Sequence, residues 1–327
     1  MTWFMRLLSV LHGGLSLAQR GLTRLLLRVA PDYFAPVIDW PKPEGPHRVG
    51  TREMEIPGPS RHGARRLMAR LWYPAVSVEG RERRVYFGDE AELRSMALGL
   101  DGLLSAALVR RLGLVRTWSH EAAEIIQGPK LPVIIFSHGL TGYVGQNTHL
   151  CEHLASHGYL VASLAHPGGA SIVHYPDGSQ TRQTRAILRR LVTPQFLLDM
   201  WSLFKVMTPQ DRRDLLQRIA LAPMADEDRR WAENISDAIS GLSGPQSEAE
   251  TGRIMAQADW NRVGLVGMSL GGSASANAAQ ADPRVHVAVN LDGMQQGSRL
   301  LNTSIRVPLL VMHGPRALAA DGTACTR

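Results

Sequence analysis

Gly267-Met268-Ser269-Leu270-Gly271-Gly272 is the stretch of this chain whose residue types and spacing point most directly to chemistry. An apolar run over 263–266 precedes it, and an Ala/Ser-rich run follows. In a G-x-S-x-G turn between strand and helix, the residues two before and two after the serine must be small, because the limbs nearly touch. The serine then sits at a helix N-terminus, where backbone N–H groups can stabilise an anion. Ser269 is therefore expected to be the nucleophile of a serine hydrolase.

Such a nucleophile needs three kinds of help. The first is an oxyanion hole, in which the loss of one donor typically costs ~3 kcal/mol. One donor is the backbone N–H after the nucleophile, on Leu270. The second is expected in the loop His138-Gly139-Leu140-Thr141-Gly142, on Leu140. His138 is read as a structural residue beneath the site. The second need is an acid. Asp292, at the end of the apolar run 285–291, stands 23 residues after Ser269. A carboxylate at the tip of a parallel strand shares the sheet edge with the nucleophile. Asp321 is the alternative, and Asp292 is preferred.

The third need is a base, since a serine hydroxyl is a weak nucleophile until histidine removes its proton. The chain has 12 histidines. His138, His153 and His157 belong to an early strand–helix unit. His166 and His174 follow the next strand and are expected to line the pocket. His286 starts a strand at its far end. His313, closing the last strand, is the possible substitute base. The stronger expectation is a chain truncated at its C-terminus and lacking its base, a loss that typically costs ~10⁴ in rate.

These residues need elements to hold them. Residues 131–137 and 159–164 are short, continuous apolar runs that read as buried parallel strands, with a helix over 148–157 between them. A second alternation follows: a helix over 229–242, strand 263–266, helix 269–279, strand 285–291 and a last strand 307–312. Ahead of them, 49–56 and 66–73 flank a turn-rich segment and suggest a hairpin, with Pro74 ending the second strand. Residues 186–221 read as a helical insertion that caps the site. The pattern is an α/β fold: a mostly parallel sheet flanked by helices, with a leading antiparallel hairpin. The expected organisation is an N-terminal segment, 1–44, and one domain over 45–327.

Residues 1–30 place apolar side chains on one helix face and Arg20, Arg24 and Arg28 on the other. Charges interrupt any secretory-type apolar run. An amphipathic helix is expected, with peripheral membrane contact as its functional reading. A cytoplasmic or membrane-peripheral location is therefore favoured over secretion. The net charge of +7 is spread along the chain without zinc-finger spacing or basic–aromatic interleaving, so no nucleic-acid partner is expected. Cys151 and Cys325 do not make a disulfide framework.

The segments Gly45-Pro46-His47-Arg48-Val49-Gly50, LMARLWYPA, FSHGLTG, CEHLASHGYLVASLAHPGGAS, RVGLVGMSLGG and VNLDG together resemble the plasma-type platelet-activating factor acetylhydrolases and their bacterial relatives. The resemblance covers most of 45–312 and implies the α/β-hydrolase fold. It implies Asp292 as the acid and Leu140 and Leu270 as oxyanion amides. It implies calcium-independent hydrolysis of short or oxidised acyl esters, lipid esters among them, with no metal or cofactor. Met268 departs from the family, which often has histidine there. The alternative function is a catalytically impaired hydrolase-fold protein or lipid-binding module.

Overall fold

The structure, a computed structural model, describes residues 40–58, 66–88, 113–183, 193–202, 208–220, 224–295 and 303–313. The expected amphipathic helix over 1–30, Asp321 and Cys325 lie outside the described residues. In chain order the elements begin with β1 (Arg48–Glu55), β2 (Met68–Ala75), β3 (Arg83–Val85), β4 (Arg116–Glu121) and β5 (Leu131–Ser137). Next come α1 (Thr148–Ser156), β6 (Leu160–Ala165), β7 (Ile172–His174) and β8 (Gln180–Arg182). Four helices follow: α2 (Pro194–Ser202), α3 (Pro209–Ala220), α4 (Met224–Ser243) and α5 (Ala249–Ala256). The chain then runs through β9 (Ala258–Met268), α6 (Leu270–Ala281), β10 (Val285–Leu291) and β11 (Leu309–Met312).

Two compact units form: residues 1–42 with 82–118, and residues 43–81 with 119–327. In the first, β3 pairs with the start of β4, where Arg83 Nε donates to the Thr117 carbonyl at 2.5 Å. The Arg83 guanidinium lies 3.8 Å from the Trp118 ring centroid, a cation–π contact.

The second unit holds the residues expected to act. Its strands run in the order β11-β10-β9-β5-β6-β2-β1. From β11 to β6 all pairs are parallel, while β2 is antiparallel to both β6 and β1. This is the α/β-hydrolase architecture. Strand β5 lies mid-sheet with side chains buried on both faces, as its unbroken LPVIIFS run requires. One face packs Leu71, Tyr73, Ile135 and Leu160 against Trp231, Ile235 and Ile239 of α4 and Leu270, Ala274 and Ala278 of α6. The other packs Trp72, Phe136 and Val161 against Cys151 and Ala155 of α1. Cys151 is thus a small, fully buried core residue. Helix α6 is built from Gly, Ser and Ala, which lets its backbone press close to β9 and β10.

Two expectations need correction. Pro74 does not end β2: the strand continues to Ala75, with Pro74 opposite Val49. Proline lacks only the donor, and its carbonyl still accepts the Ile126 N–H at 3.1 Å. Strand β9 is 11 residues long, not four, because its first half is partly exposed and so does not read as an apolar run. Within the expected insertion over 186–221 lie α2 and α3, while residues 186–192, 203–207 and 221 are outside the described ones.

Candidate active site

Ser269 lies between the end of β9 and the start of α6 with φ 54° and ψ −121°. A non-glycine residue in that region carries strain of roughly 1–3 kcal/mol, held only where the surroundings over-determine it. The surroundings here do so. A side chain at Gly267 would run into the Gly271 carbonyl, and one at Gly271 into the carbonyls of Ser137 and His138. The elbow's small residues are thus demanded by backbone contact.

The residues beside Ser269 stand on successive strand tips. The Ser269 N–H donates to the Leu291 carbonyl at 2.8 Å, and the Asp292 N–H to the Met312 carbonyl at 2.6 Å. These bonds place Ser269, Asp292 and His313 at the C-terminal ends of β9, β10 and β11. Asp292 itself has φ 55°, which a short carboxylate side chain tolerates. Asn290 braces the following turn, its amide exchanging two hydrogen bonds with Gly293 at 2.8 and 3.0 Å. His313 Nδ1 is 3.7 Å from Asp292 Oδ1, and both side chains are nearly half exposed. That separation is a contact between charges in waiting, longer than a hydrogen bond.

The oxyanion loop flanks Ser269 on the β5 side. Gly139 abuts the elbow: a Cβ placed there would be 3.3 Å from the Ser269 Cβ. Three of four successive amides in the loop are tied. Gly139 N–H donates to Gln146 Oε1 at 2.8 Å, Thr141 N–H to the Gly169 carbonyl at 2.9 Å, and Gly142 N–H to the Gly139 carbonyl at 2.9 Å. The Leu140 N–H has no partner among the described residues. The Leu270 N–H, in the first turn of α6, is one of the donors a helix cannot satisfy internally. The two amides expected to hold an oxyanion are thus both among those this backbone leaves without a partner among the described residues.

His138 is fully buried, as a structural residue should be. Its Nδ1 donates to the Gly139 carbonyl at 2.7 Å and its Nε2 accepts the His166 N–H at 3.2 Å. Burial pulls its pKa down to about 4. His166 corrects the sequence reading: it does not line a pocket but is wholly buried beneath the loop. The reason is a partner sequence could not show, the Trp231 ring stacked on it at 4.1 Å. His174 is only half-buried, on β7 of a separate two-stranded hairpin with β8. Gln146, Asn290 and Asp228 also escaped notice. Asp228 on α4 accepts a hydrogen bond from Asn277 Nδ2 of α6, and burial pushes its carboxyl up to about 7. Among the described residues no group of three or more His, Cys, Asp or Glu side chains could hold a metal ion, and no helix is long and apolar enough to cross a membrane.

With this geometry in place, comparisons with known proteins can be weighed. The sequence pattern of the family "Platelet-activating factor acetylhydrolase, isoform II" matches residues 34–194. Over that segment, just under half of its length, the chain is similar to these acetylhydrolases. A platelet-activating factor acetylhydrolase of Cavia porcellus is 22% identical over 259 residues, covering 77% of this chain and 55% of that protein. One of Canis lupus familiaris is 23% identical over 261 residues, covering 77% and 54%. The chain thus spans about half the length of these curated relatives. A solved ferulic acid esterase from Streptomyces cinnamoneus is similar in fold, with a TM-score of 0.60 and 24% identity over 88% of this chain and 71% of that one.

Proposed function

We propose that this protein is a serine carboxylic ester hydrolase of the platelet-activating-factor-acetylhydrolase type, acting through an acyl-enzyme. The observation that carries the reading is the pairing of a strained Ser269 with a loop in which every amide but that of Leu140 is already tied. Ser269 Oγ attacks the acyl carbonyl. The Leu140 and Leu270 N–H groups take the developing negative charge, which a preorganised hole stabilises without reorganisation. Asp292 orients the base and supports the imidazolium. His313 is the group on the correct edge to serve as that base, once the gap to Asp292 closes by about 1 Å to hydrogen-bond length. The acyl group then leaves by attack of water activated in the same way.

The substrate class is an ester with a short or oxidised acyl chain, lipid esters included, and the chemistry needs no metal or cofactor. Helices α2 and α3 border the acyl-binding region, and residues 1–30 contact a membrane surface peripherally. A second reading rests on the 3.7 Å gap between His313 and Asp292: a hydrolase-fold lipid-binding protein without turnover. Hydrolysis of p-nitrophenyl acetate by the full chain separates the two. Turnover that Ser269→Ala removes supports the esterase. Turnover absent at high enzyme concentration, or untouched by Ser269→Ala, sinks it.

A further inference from the structure

The oxyanion loop does not rest on ordinary core packing. Beneath it lies a cluster of four polar or aromatic side chains, almost wholly out of water: His138, His166, Trp231 and Asn234. His166 is its hub. Its Nδ1 meets the Asn234 side-chain amide at 3.3 Å, and its Nε2 meets Ser137 Oγ at 3.1 Å. Its ring stacks on Trp231, 4.1 Å between centroids and 4° from parallel, while His138 stands edge-on to both rings. The Trp231 indole N–H is fixed in turn by Glu227 Oε1 at 2.9 Å, one helical turn earlier on α4.

The backbone of the same residue carries the loop. The His166 N–H donates to His138 Nε2 at 3.2 Å. The His166 carbonyl accepts the N–H groups of Gly169 and Ala170, at 3.0 and 2.7 Å, and so shapes the turn 166–171. That turn holds the oxyanion loop at two further points: the Gly169 carbonyl takes the Thr141 N–H at 2.9 Å, and the Ser171 N–H reaches the Gly142 carbonyl at 2.7 Å. The Trp231 ring lies directly against the Gly169 backbone, closing the bracket from below.

We propose that His166 is a positioning residue: wedged between Asn234, Ser137 and the Trp231 ring, it holds His138 and the turn 166–171 in register and so keeps the Leu140 N–H beside Ser269. The proposal rests on the reading of Ser269 as nucleophile and adds to it the device that builds the second half of the oxyanion hole. The hydrogen-bond partners fix both tautomers. The Asn234 amide donates, so His166 Nδ1 is the acceptor and its proton sits on Nε2, donated to Ser137. The His166 N–H likewise makes His138 Nε2 an acceptor, leaving the Nδ1 proton for the Gly139 carbonyl. Both rings must be neutral, because a proton on His138 Nε2 would face another donor. Burial keeps them so, by lowering the affinity of both imidazoles for a second proton.

The test uses the full chain and three variants, His166→Gln, Asn234→Ser and Trp231→Phe. Two readouts are taken beside a melting curve: the rate at which an alkyl fluorophosphonate labels Ser269, and amide hydrogen exchange in peptides covering 138–147. Folded H166Q is expected to label about ten- to a hundredfold more slowly, short of the full loss of an oxyanion donor. Its 138–147 peptides should exchange faster, while those of β9 and α6 are unchanged. N234S and W231F should follow in the same direction by severalfold. On p-nitrophenyl acetate kcat should drop in proportion, with KM within about twofold, because the hole acts on the transition state. Folded H166Q and N234S with wild-type labelling and wild-type exchange would overturn the proposal. So would failure of both to fold, which would make the cluster a core element instead. A wild-type chain that does not label refutes the reading of Ser269 alone, and the exchange measurement still decides whether His166 holds the loop.

Discussion

The two flanks of Ser269 are built to different standards. On the β5–β6 side, Ile135, Phe136, His138, Leu164 and His166 are all inaccessible to solvent, and three of the four amides 139–142 in the loop above them are tied. On the β10–β11 side, Leu310, Val311 and Met312 are about half exposed, and Asp292 and His313 stand 3.7 Å apart. On the proposed reading one flank would stabilise charge, which calls for rigid donors that need no rearrangement as the reaction proceeds. The other would move a proton, and its members meet only if the half-exposed pair closes. The proposed site is thus unevenly preorganised: its electrostatic half is set by the core, and its acid–base half by strand ends.

The comparison can be broken in several ways. The largest effect should come from the residue both flanks serve: Ser269→Ala is expected to lower esterase kcat by at least ~10⁵-fold and to abolish fluorophosphonate labelling. Next comes the looser flank. If His313 is the base, His313→Ala and Asp292→Asn should each cost ~10³–10⁴ in kcat and, as members of one unit, should not add when combined. Equal kcat for wild type and H313A would remove His313 from the mechanism and leave the oxyanion flank standing.

Stability should divide along the same line. Ile135→Ala in β5 is expected to cost about 2–5 kcal/mol in denaturant unfolding. Leu310→Ala in β11 should cost under about 1 kcal/mol, since its side chain already meets water. Similar losses at both positions would show that the β11 flank is packed in solution after all.

The smallest effect is a pH signature of the brace between α4 and α6. Burial raises the Asp228 carboxyl to about 7, against ~3.9 in an unfolded chain. Between those values the folded protein holds a proton that the unfolded chain has released. This group's contribution to stability is therefore full below about pH 4 and falls as pH rises, levelling off above about 7. Asp228→Asn removes the dependence. Its unfolding free energy should exceed that of wild type by roughly 2–4 kcal/mol more at pH 8 than at pH 4. A difference that does not change between the two pH values would show that the carboxyl ionises without cost.

Much of this site was legible beforehand because its signals are local. The elbow announces itself through Gly267 and Gly271, whose small size is a demand of backbone contact two residues either side of Ser269. Asp292 was readable as a carboxylate at a strand tip, and Leu140 as an amide in the loop after an apolar strand. Pro74 misled because a proline in a strand usually marks its end, yet here only its missing donor mattered. His166 misled more instructively. A histidine just past a strand looks like a pocket residue, and nothing within its own neighbourhood names Trp231 and Asn234, 65 and 68 positions away.

Sequence by itself determined the tight Gly267–Gly271 elbow around Ser269, the strand–helix alternation and the residue types at the strand tips. These follow from short-range rules: side-chain size at a tight turn, and apolar periodicity. Tertiary structure alone decided which polar side chains are sealed from water and which remain open to it. Burial is a property of elements packed against one another. Only the stacking of α4 on β5 and β6 made His138 and His166 neutral braces, while the edge position of β11 left His313 exposed.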